Sequence, residues 1–338
     1  MKVVRIAGKR KAELIDLPTP KAKGEFTLVK IHSAPMCTEY KSFKDGQICQ
    51  SIGHEAAGEV VEVAQAGRVE VGDRVVVMPK TPCGKCPLCL QGEYIHCQYN
   101  LDVAEVTGYS YGDGTYAQYI LKQDWLLVPI PDDISYDHAA MACCGLGPTF
   151  GAMQAMHAGA FDTVVITGMG PVGLGGVINA VYRGARVIAV SKNPYRANLA
   201  KRLGAEAVIN PQDEDALEQI MDLTNGVGFD KAVECSGVPA RMRLLIDAVR
   251  RKGQIAFVGE AEDLTIKVSD DMIRKGLTLH GIWHFNMGDT PRIMQVVVDC
   301  TDKLDKLITH TFPMNKVQEA FELQLTGQCG KVVLHPWE

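Results

Sequence analysis

Hydrophobic residues follow two different patterns along the chain. In residues 1 to about 140, short apolar or alternating runs are separated by turns, as at 26–31, 58–63 and 115–120. Alternation with a period of two is typical of strands that bury one face. We therefore predict a mostly antiparallel β domain for this part of the chain.

The pattern changes between about Gly147 and Trp283, where short apolar segments alternate with helical ones. Predicted strands lie at 163–167, 186–190, 207–209, 231–234, 254–258 and 277–282. Strand–helix alternation of this kind predicts a doubly wound parallel sheet. Two more helices, at 290–300 and 315–325, and a strand at 331–334 follow.

Together the two patterns predict an α/β protein of two domains. The length of 338 residues exceeds the usual size of a single hydrophobic core. We expect residues 147–285 to form a domain around the parallel sheet. We expect residues 1–146 and 286–338 to form the β-rich domain, so that the first is inserted into the second.

The first helix of the parallel-sheet region begins in a glycine-rich turn, GMGPVG at 168–173, which fits the pattern G-x-G-x-x-G. Gly168 permits the tight turn, Gly170 lets a pyrophosphate approach the backbone, and Gly173 lets the helix pack closely on the strand. The helix starts at Pro171 and Val172, and the free backbone N–H groups of its first turn face the phosphates. Because the turn lies between two buried strands, we predict dinucleotide binding here.

Composition narrows the class of protein. The chain is 46% hydrophobic and 22% charged, with a formal net charge of −5, which is ordinary for a globular protein and argues against a nucleic-acid partner. No apolar run approaches the ~20 residues of a membrane span, and the N-terminus lacks the apolar core of a signal peptide. We therefore expect a cytoplasmic protein without a membrane partner. In that compartment the 11 cysteines favour metal or catalytic roles over disulfides.

Four of these cysteines fall within fifteen residues: Cys83, Cys86, Cys89 and Cys97. Four soft ligands at close spacing are what a tetrahedral zinc requires, and the intervening glycine and proline allow the tight turns. Two disulfides are the alternative, which the absence of a secretion signal disfavours. We predict a structural zinc, closed by four protein ligands.

A second set of possible ligands is spread over the β-rich region: Cys37, His54 and the pair Cys143-Cys144. A lone cysteine is usually a small buried hydrophobe, so each residue alone indicates little. Two sulfurs, one imidazole and a water, however, are a usual ligand set of a catalytic zinc with an open fourth position.

Taken together, these features resemble the zinc-dependent medium-chain alcohol and polyol dehydrogenases, from one end of the chain to the other. GHEAAG at 53–58 is similar to that family's zinc signature. The four-cysteine segment, VGDRV at 71–75, the glycine turn and ITH at 308–310 all fall in family order. The resemblance implies a GroES-like catalytic domain, a Rossmann cofactor domain and two zinc ions per chain.

The resemblance also implies a ligand set. Cys37, His54 and Cys144 would hold the catalytic zinc, and Glu55 would lie beside it. Cys144 is preferred to Cys143 because the family's cysteine directly precedes a glycine, and adjacent side chains point apart.

After the first zinc cysteine, the family usually has one spacer, then Ser or Thr, then an acid. Here Cys37 is followed at once by Thr38-Glu39. If one residue is deleted, Thr38 is the hydroxyl that hands the substrate proton outward. Without a deletion, Glu39 occupies that place.

A second departure lies at the end of the strand 186–190. NAD-dependent members of the family have an acid there that bonds the adenosine ribose, whereas this chain has Ser191, followed by Lys192 and Arg196. A serine and two cations suit a 2′-phosphate. We therefore predict NADP as the cofactor, with NAD as the alternative.

The function that these features predict is hydride transfer between NADP or NAD and a secondary alcohol, polyol or sugar-like substrate. One alternative is a zinc-free quinone or enoyl reductase of the same fold, and another is a non-catalytic nucleotide-binding relative. We also expect a homodimer or homotetramer, because residues 262–268 alternate and could form an edge strand that pairs with its copy.

Overall fold

The computed structural model describes residues 1–338, which divide into two compact units. The first unit contains Met1–Cys144 and Asn286–Glu338, and the second contains Gly145–Phe285. None of the helices has both the length and the apolar composition needed to cross a bilayer.

The strands are β1 (Lys2–Gly8), β2 (Lys11–Asp16), β3 (Phe26–Pro35), β4 (Ala56–Glu62), β5 (Arg74–Val77), β6 (Tyr119–Gln123), β7 (Leu127–Pro129), β8 (Thr163–Thr167), β9 (Arg186–Val190), β10 (Ala207–Ile209), β11 (Phe229–Glu234), β12 (Val249–Phe257), β13 (Thr278–Gly281), β14 (Ile308–Pro313) and β15 (Lys331–His335). The helices are α1 (Tyr40–Asp45), α2 (Pro87–Leu90), α3 (Val103–Thr107), α4 (Tyr136–Ala140), α5 (Gly147–Ala155), α6 (Pro171–Tyr182), α7 (Pro194–Leu203), α8 (Ala216–Leu223), α9 (Pro239–Ala248), α10 (Thr290–Asp299), α11 (Thr301–Leu307) and α12 (Val317–Thr326).

A seven-stranded sheet forms the centre of the first unit, in the order β14-β15-β3-β4-β5-β7 with β6 also paired to β3. All neighbours are antiparallel except β14 and β15. The strand β15 reaches β3 through the pairs Val333–Pro35 and Leu334–Ala34. Alternate residues of these strands, such as Val29 and Val60, face a common core that includes Phe321 of α12.

The second unit contains a six-stranded parallel sheet in the order β10-β9-β8-β11-β12-β13. The chain builds β8, β9 and β10 in one direction and then returns to add β11, β12 and β13 on the other side of β8. The order therefore reverses between β8 and β11, which is the switch point of a doubly wound fold. The predicted β-rich region and parallel sheet are both confirmed.

Two predicted strands differ from the structure. The run at 115–120 was expected to be a strand, but β6 begins only at Tyr119. The expected edge strand at 262–268 is wrong, because residues 263–267 have no regular structure and a π-helix begins at Val268. Leu264 and Ile266 pack against the core while their neighbours face solvent, so the alternation comes from an extended segment without strand pairing. The actual edge strand on this side of the sheet is β13.

Candidate metal centres and dinucleotide site

The sulfur atoms of Cys83, Cys86, Cys89 and Cys97 lie within 4.8 Å of one another. Cys86 directly precedes α2, whose turn brings Cys89 to 3.5 Å from it, sulfur to sulfur. A 3-10 turn at Tyr94–His96 brings Cys97 to 3.9 Å from Cys86. Four sulfurs at about 2.3 Å from one zinc would be about 3.8 Å apart along the edges of a tetrahedron. The observed spacings therefore fit that ion.

Backbone N–H groups donate hydrogen bonds to the sulfurs of Cys83, Cys86 and Cys97. The N–H of Cys86 donates to the sulfur of Cys83, and the N–H groups of Cys83 and Tyr99 donate to that of Cys97, each at 3.3 Å. Hydrogen bonds, first from the backbone N–H of Cys89, lower the pKa of Cys86 to about 6. Burial, and after it the neighbouring thiols, instead raise the pKa of Cys89 to about 12. The spacing of the four sulfurs is therefore what suits a closed structural site with no position for a substrate.

A second cluster consists of Cys37, His54, Glu55 and Cys144, whose donor atoms also lie within 4.8 Å of one another. Cys37 follows β3, His54 and Glu55 precede β4, and Cys144 follows α4. The Nε2 atom of His54 is 3.2 Å from the sulfur of Cys144. Oxygen Oε2 of Glu55 is buried and has no hydrogen-bond partner. An orphaned carboxylate oxygen beside two thiols and an imidazole fits a divalent cation.

The neighbouring cysteine takes no part in this cluster. Cys143 is fully buried, and its thiol donates to the carbonyl of Val77 at 3.4 Å. Burial raises the pKa of Cys143 to about 12, so this thiol stays protonated. Of the two adjacent cysteines, only Cys144 reaches the cluster.

Glu39 lies directly behind the histidine. Its Oε1 accepts a hydrogen bond from Nδ1 of His54 at 2.6 Å. Its Oε2 accepts from the hydroxyl of Tyr116 at 2.8 Å and from the N–H of Cys37 at 3.1 Å. Burial alone would raise the pKa of Glu39, but the charge and hydrogen bond of His54 lower it to about 2. The carboxylate thus keeps a proton on Nδ1 and leaves Nε2 free for a metal.

Thr38, the expected relay hydroxyl, is exposed, and its carbonyl accepts a hydrogen bond from the N–H of Lys41. Sequence analysis gives Glu39 only as an alternative to this hydroxyl and does not predict its contact with His54. An acid two residues after a candidate ligand is the signal that could have indicated it.

Glu55 forms a buried ion pair with Lys331 of β15. Both side chains have no exposed surface, and Nζ of Lys331 is 2.5 Å from Oε1 of Glu55. Burial raises the pKa of Glu55 to about 7 in spite of the lysine charge. Burial alone would lower the pKa of Lys331, but Glu55 and the nearby thiols raise it. Sequence reasoning missed this lysine, which lies 276 residues from its partner.

The glycine turn has the backbone geometry that its sequence indicates. Gly168 has φ of +81°, and a Cβ there would lie 2.5 Å from the nitrogen of Ser236. A Cβ on Gly173 would lie 2.2 Å from the carbonyl oxygen of Gly168. A Cβ on Gly170, in contrast, would meet nothing within 4 Å. This open surface adjoins the first turn of α6, which has no side-chain cap, so the backbone can receive a pyrophosphate.

The end of β9 combines the three predicted cofactor residues with acids that the sequence did not indicate. Ser191 is buried, and its hydroxyl accepts from the N–H of Asn193 at 3.3 Å. Arg196 is half-buried in the first turn of α7. Lys192 is exposed and lines a cavity of about 370 Å³. Further charged residues of this cavity, all missed by sequence reasoning, are Arg241, Asp213 and Glu214.

Comparison with known proteins shows that this chain is similar to zinc-dependent dehydrogenases along almost all of its length. Residues 23–132 match the alcohol dehydrogenase GroES-like domain, and residues 171–299 match the zinc-binding dehydrogenase family. The L-threonine 3-dehydrogenase of Pyrococcus horikoshii is 34% identical over 95% of this chain and 94% of its own length. The sorbitol dehydrogenase of Bacillus subtilis is 32% identical over 99% of this chain and 97% of its own. A solved alcohol dehydrogenase from Thermotoga maritima superposes with a TM-score of 0.86 at 27% identity, over 99% of this chain and 98% of that one.

Proposed function

Because the chain belongs to the zinc-dependent medium-chain alcohol dehydrogenase family, we propose that it oxidises a secondary alcohol or polyol reversibly to a ketone, with NADP as hydride acceptor. The observation that carries the proposal is the cluster of Cys37, His54 and Cys144 beside the Glu55–Lys331 pair. Two thiols and one imidazole are three zinc ligands and would leave the fourth tetrahedral position for a substrate oxygen, while Lys331 holds the carboxylate of Glu55 beside them.

In this proposal, the chain's own residues fix the metal and its surroundings. Bound zinc supplies a Lewis acid that lowers the pKa of the substrate hydroxyl. Glu39 orients the imidazole of His54 through Nδ1, and Lys331 neutralises Glu55. Because Glu39 holds the histidine, it fills the place of the family's acid, which supports the alignment with one residue deleted. Thr38 is then the hydroxyl that passes the proton to solvent.

A closed zinc in the four-cysteine segment and a dinucleotide at the 168–173 turn complete the proposal. Bound NADP or NAD supplies the hydride acceptor. The backbone N–H groups at the start of α6, which no side chain caps, would hold its pyrophosphate. A zinc-free quinone or enoyl reductase of the same fold would need neither cysteine cluster. The substrates that name two of the relatives, L-threonine and sorbitol, both contain a secondary hydroxyl, which favours a polar substrate of this class.

The test is turnover of a panel of polyols and hydroxy amino acids, together with metal analysis of unchelated protein. We expect two zinc ions per chain, and we expect Cys37→Ala or His54→Ala to abolish turnover while the circular dichroism spectrum stays native. Cys143→Ala is the matched control and should stay active. One zinc or none in fresh protein, or full turnover by His54→Ala, would contradict the assignment.

The preference for NADP rests on the missing acid at Ser191 and on the cations Lys192 and Arg196. Two charge-assisted contacts would favour NADP, and exposure and the acids of the cavity reduce their free energy. The remaining preference for NADP over NAD is about 2–3 kcal/mol, or roughly 30- to 150-fold. Ser191→Asp should reverse the preference because the new carboxylate repels a 2′-phosphate and bonds a ribose. Arg196→Ala should weaken NADP and leave NAD nearly unchanged. The ratio of kcat/KM for the two cofactors measures this, and a wild-type preference for NAD would overturn it.

A further inference from the structure

A buried carboxylate lies where the parallel sheet reverses its strand order. The switch point between β8 and β11 is where open α/β sheets bind their ligands, outside the carboxyl ends of the strands. Glu234 is the last residue of β11 and has no exposed surface. A carboxylate that faced a dinucleotide here would repel its phosphates, so Glu234 is not a direct ligand of them. Burying a carboxylate is costly unless hydrogen bonds compensate for the lost water, so its hydrogen-bond partners indicate its role.

The partners of this carboxylate are uncharged donors at the end of β8 and in the loop that follows β11. Its Oε1 accepts from the hydroxyl of Thr167 at 3.1 Å, from the N–H of Ser236 at 2.8 Å and from the Ser236 hydroxyl. Its Oε2 accepts from the N–H of Gly237 at 3.1 Å. The Ser236 hydroxyl in turn accepts from the N–H of Val238 at 3.2 Å. One carboxylate therefore fixes the whole loop 236–238.

That loop packs directly on the glycine turn. A Cβ on Gly168 would lie 2.5 Å from the nitrogen of Ser236. On the other side, a Cβ on Gly259 would lie 2.4 Å from the nitrogen of Gly237 and 2.6 Å from Oε2 of Glu234. The loops after β8, β11 and β12 thus touch backbone to backbone around Glu234. A displacement of loop 236–238 must move Gly168, the first residue of the phosphate-binding turn.

We propose that Glu234 is a positioning residue for the dinucleotide: its carboxylate holds loop 236–238, and that loop holds the 168–173 turn in the shape that receives the pyrophosphate. The inference rests on the proposed use of this turn for NADP or NAD. Charge and shape are both required, because a glutamine would turn one N–H₂ group toward backbone N–H donors and leave one of them without an acceptor.

The test is Glu234→Gln, with cofactor affinity measured by fluorescence titration of NADPH and of NADH. We expect the Kd for both to rise by about tenfold or more, since a buried donor loses its acceptor. In steady state, KM for the cofactor should rise while kcat at saturation stays within about twofold. A merely structural role would reduce the active fraction, which lowers kcat without changing KM. Glu218→Gln, an exposed change on α8, is the matched control.

A second variant keeps the test decisive if Glu234→Gln does not fold. Thr167→Val has the same shape and removes one donor to Glu234, so its Kd should rise a few-fold. Unchanged Kd in the folded variants, with normal binding by the wild type, would overturn the role of Glu234 alone. Wild-type protein that bound neither dinucleotide would overturn the cofactor proposal and this inference together.

Discussion

Lys331 and Glu55 are an ion pair without any contact with water. Removing two charges from water costs several kcal/mol each, so such a pair is weak evidence for stability as a whole. Its two halves, however, are strongly interdependent. If Lys331 is lost, the carboxylate remains buried beside the thiols of Cys37 and Cys144 without its counter-ion.

Lys331→Met should therefore lower the thermal midpoint by roughly 5–10 °C, from the several kcal/mol that an unpaired buried charge costs. The double variant Glu55→Gln with Lys331→Met should recover most of this loss, because neither charge remains. Scanning calorimetry of the zinc-loaded proteins measures both. A double variant no more stable than Lys331→Met would show that the lysine acts through packing and not through charge.

The residues of the site differ in how far sequence reasoning could identify them. Cys83 to Cys97 and the 168–173 turn lie within short segments, where spacing alone indicates a joint role. Glu39 and Lys331 have their roles only through tertiary contacts, with His54 and with Glu55. No local pattern at Lys331 predicts a buried charge, because the surrounding residues read as an ordinary apolar strand.

Among the structural elements, the segment with the four cysteines buries only two apolar side chains besides its cysteines, Tyr94 and Ile95. Its buried cluster consists of Cys86, Cys89 and Cys97, while Leu90 and Tyr99 are largely exposed. A loop with so few buried apolar side chains would depend on the proposed structural zinc for its stability.

Cys86→Ala should accordingly lower the thermal midpoint while the turnover of folded protein is largely retained. A strong chelator should lower the wild-type midpoint in the same direction and should lower that of the variant by less, because only the proposed catalytic zinc remains there to be removed. Chelator titration followed by calorimetry measures this. Loss of turnover in folded Cys86→Ala would show instead that the segment takes part in the reaction.

The end of β15 contains a histidine between two carboxylates. Nε2 of His335 is 3.1 Å from both oxygens of Asp137, and Nδ1 is 3.2 Å from Glu338. The hydrogen bond with Asp137 raises the pKa of His335 above its ordinary 6.5. The resulting stability is fully present below pH 6.5 and is lost as the pH rises through the raised pKa.

His335→Gln should therefore destabilise the protein by about 0.5–1 kcal/mol near pH 5.5 and by less near pH 9, the small size reflecting partial exposure. When Asp137→Asn is already present, the cost of His335→Gln should no longer depend on pH. Urea unfolding at the two pH values measures it. A larger cost at the higher pH would contradict the ion pair.

The segment 262–268 illustrates the limit of pattern reasoning for elements. Its alternation of buried and exposed side chains is real, but strand formation also requires a neighbour to supply backbone hydrogen bonds. Here Asp271 accepts the N–H of Lys267 at 2.7 Å, which turns the chain into the following π-helix. The strands of the parallel sheet, in contrast, were predictable because the helical patterns between them indicate a repeated strand–helix unit.

At the scale of the whole molecule, the parallel sheet ends in β13, a short strand that pairs only with β12. An exposed edge strand is a ready site for pairing with a second copy. With residues 262–268 excluded, β13 is the element by which we now expect a homodimer, or a homotetramer built from it.

Light scattering at micromolar concentration should give two or four chains per particle. Thr278→Lys, at an exposed position of β13, should shift the mass toward the monomer, because two like charges would meet across the two-fold axis. Its thermal unfolding should otherwise remain cooperative. A monomeric wild type would refute the expectation.

The pairing of β15 with β3 also affects the order in which parts of the chain can fold during synthesis. During synthesis, Glu55 leaves the ribosome 276 residues before Lys331, which at 5–20 residues per second is a delay of roughly 15–55 s, and Cys37 and His54 leave it earlier still. In that interval the nascent chain can complete the contiguous segment Gly145–Phe285, but it has no counter-ion for Glu55. The proposed catalytic centre is therefore the last part of the chain that can fold completely, after the unit that contains the proposed dinucleotide site.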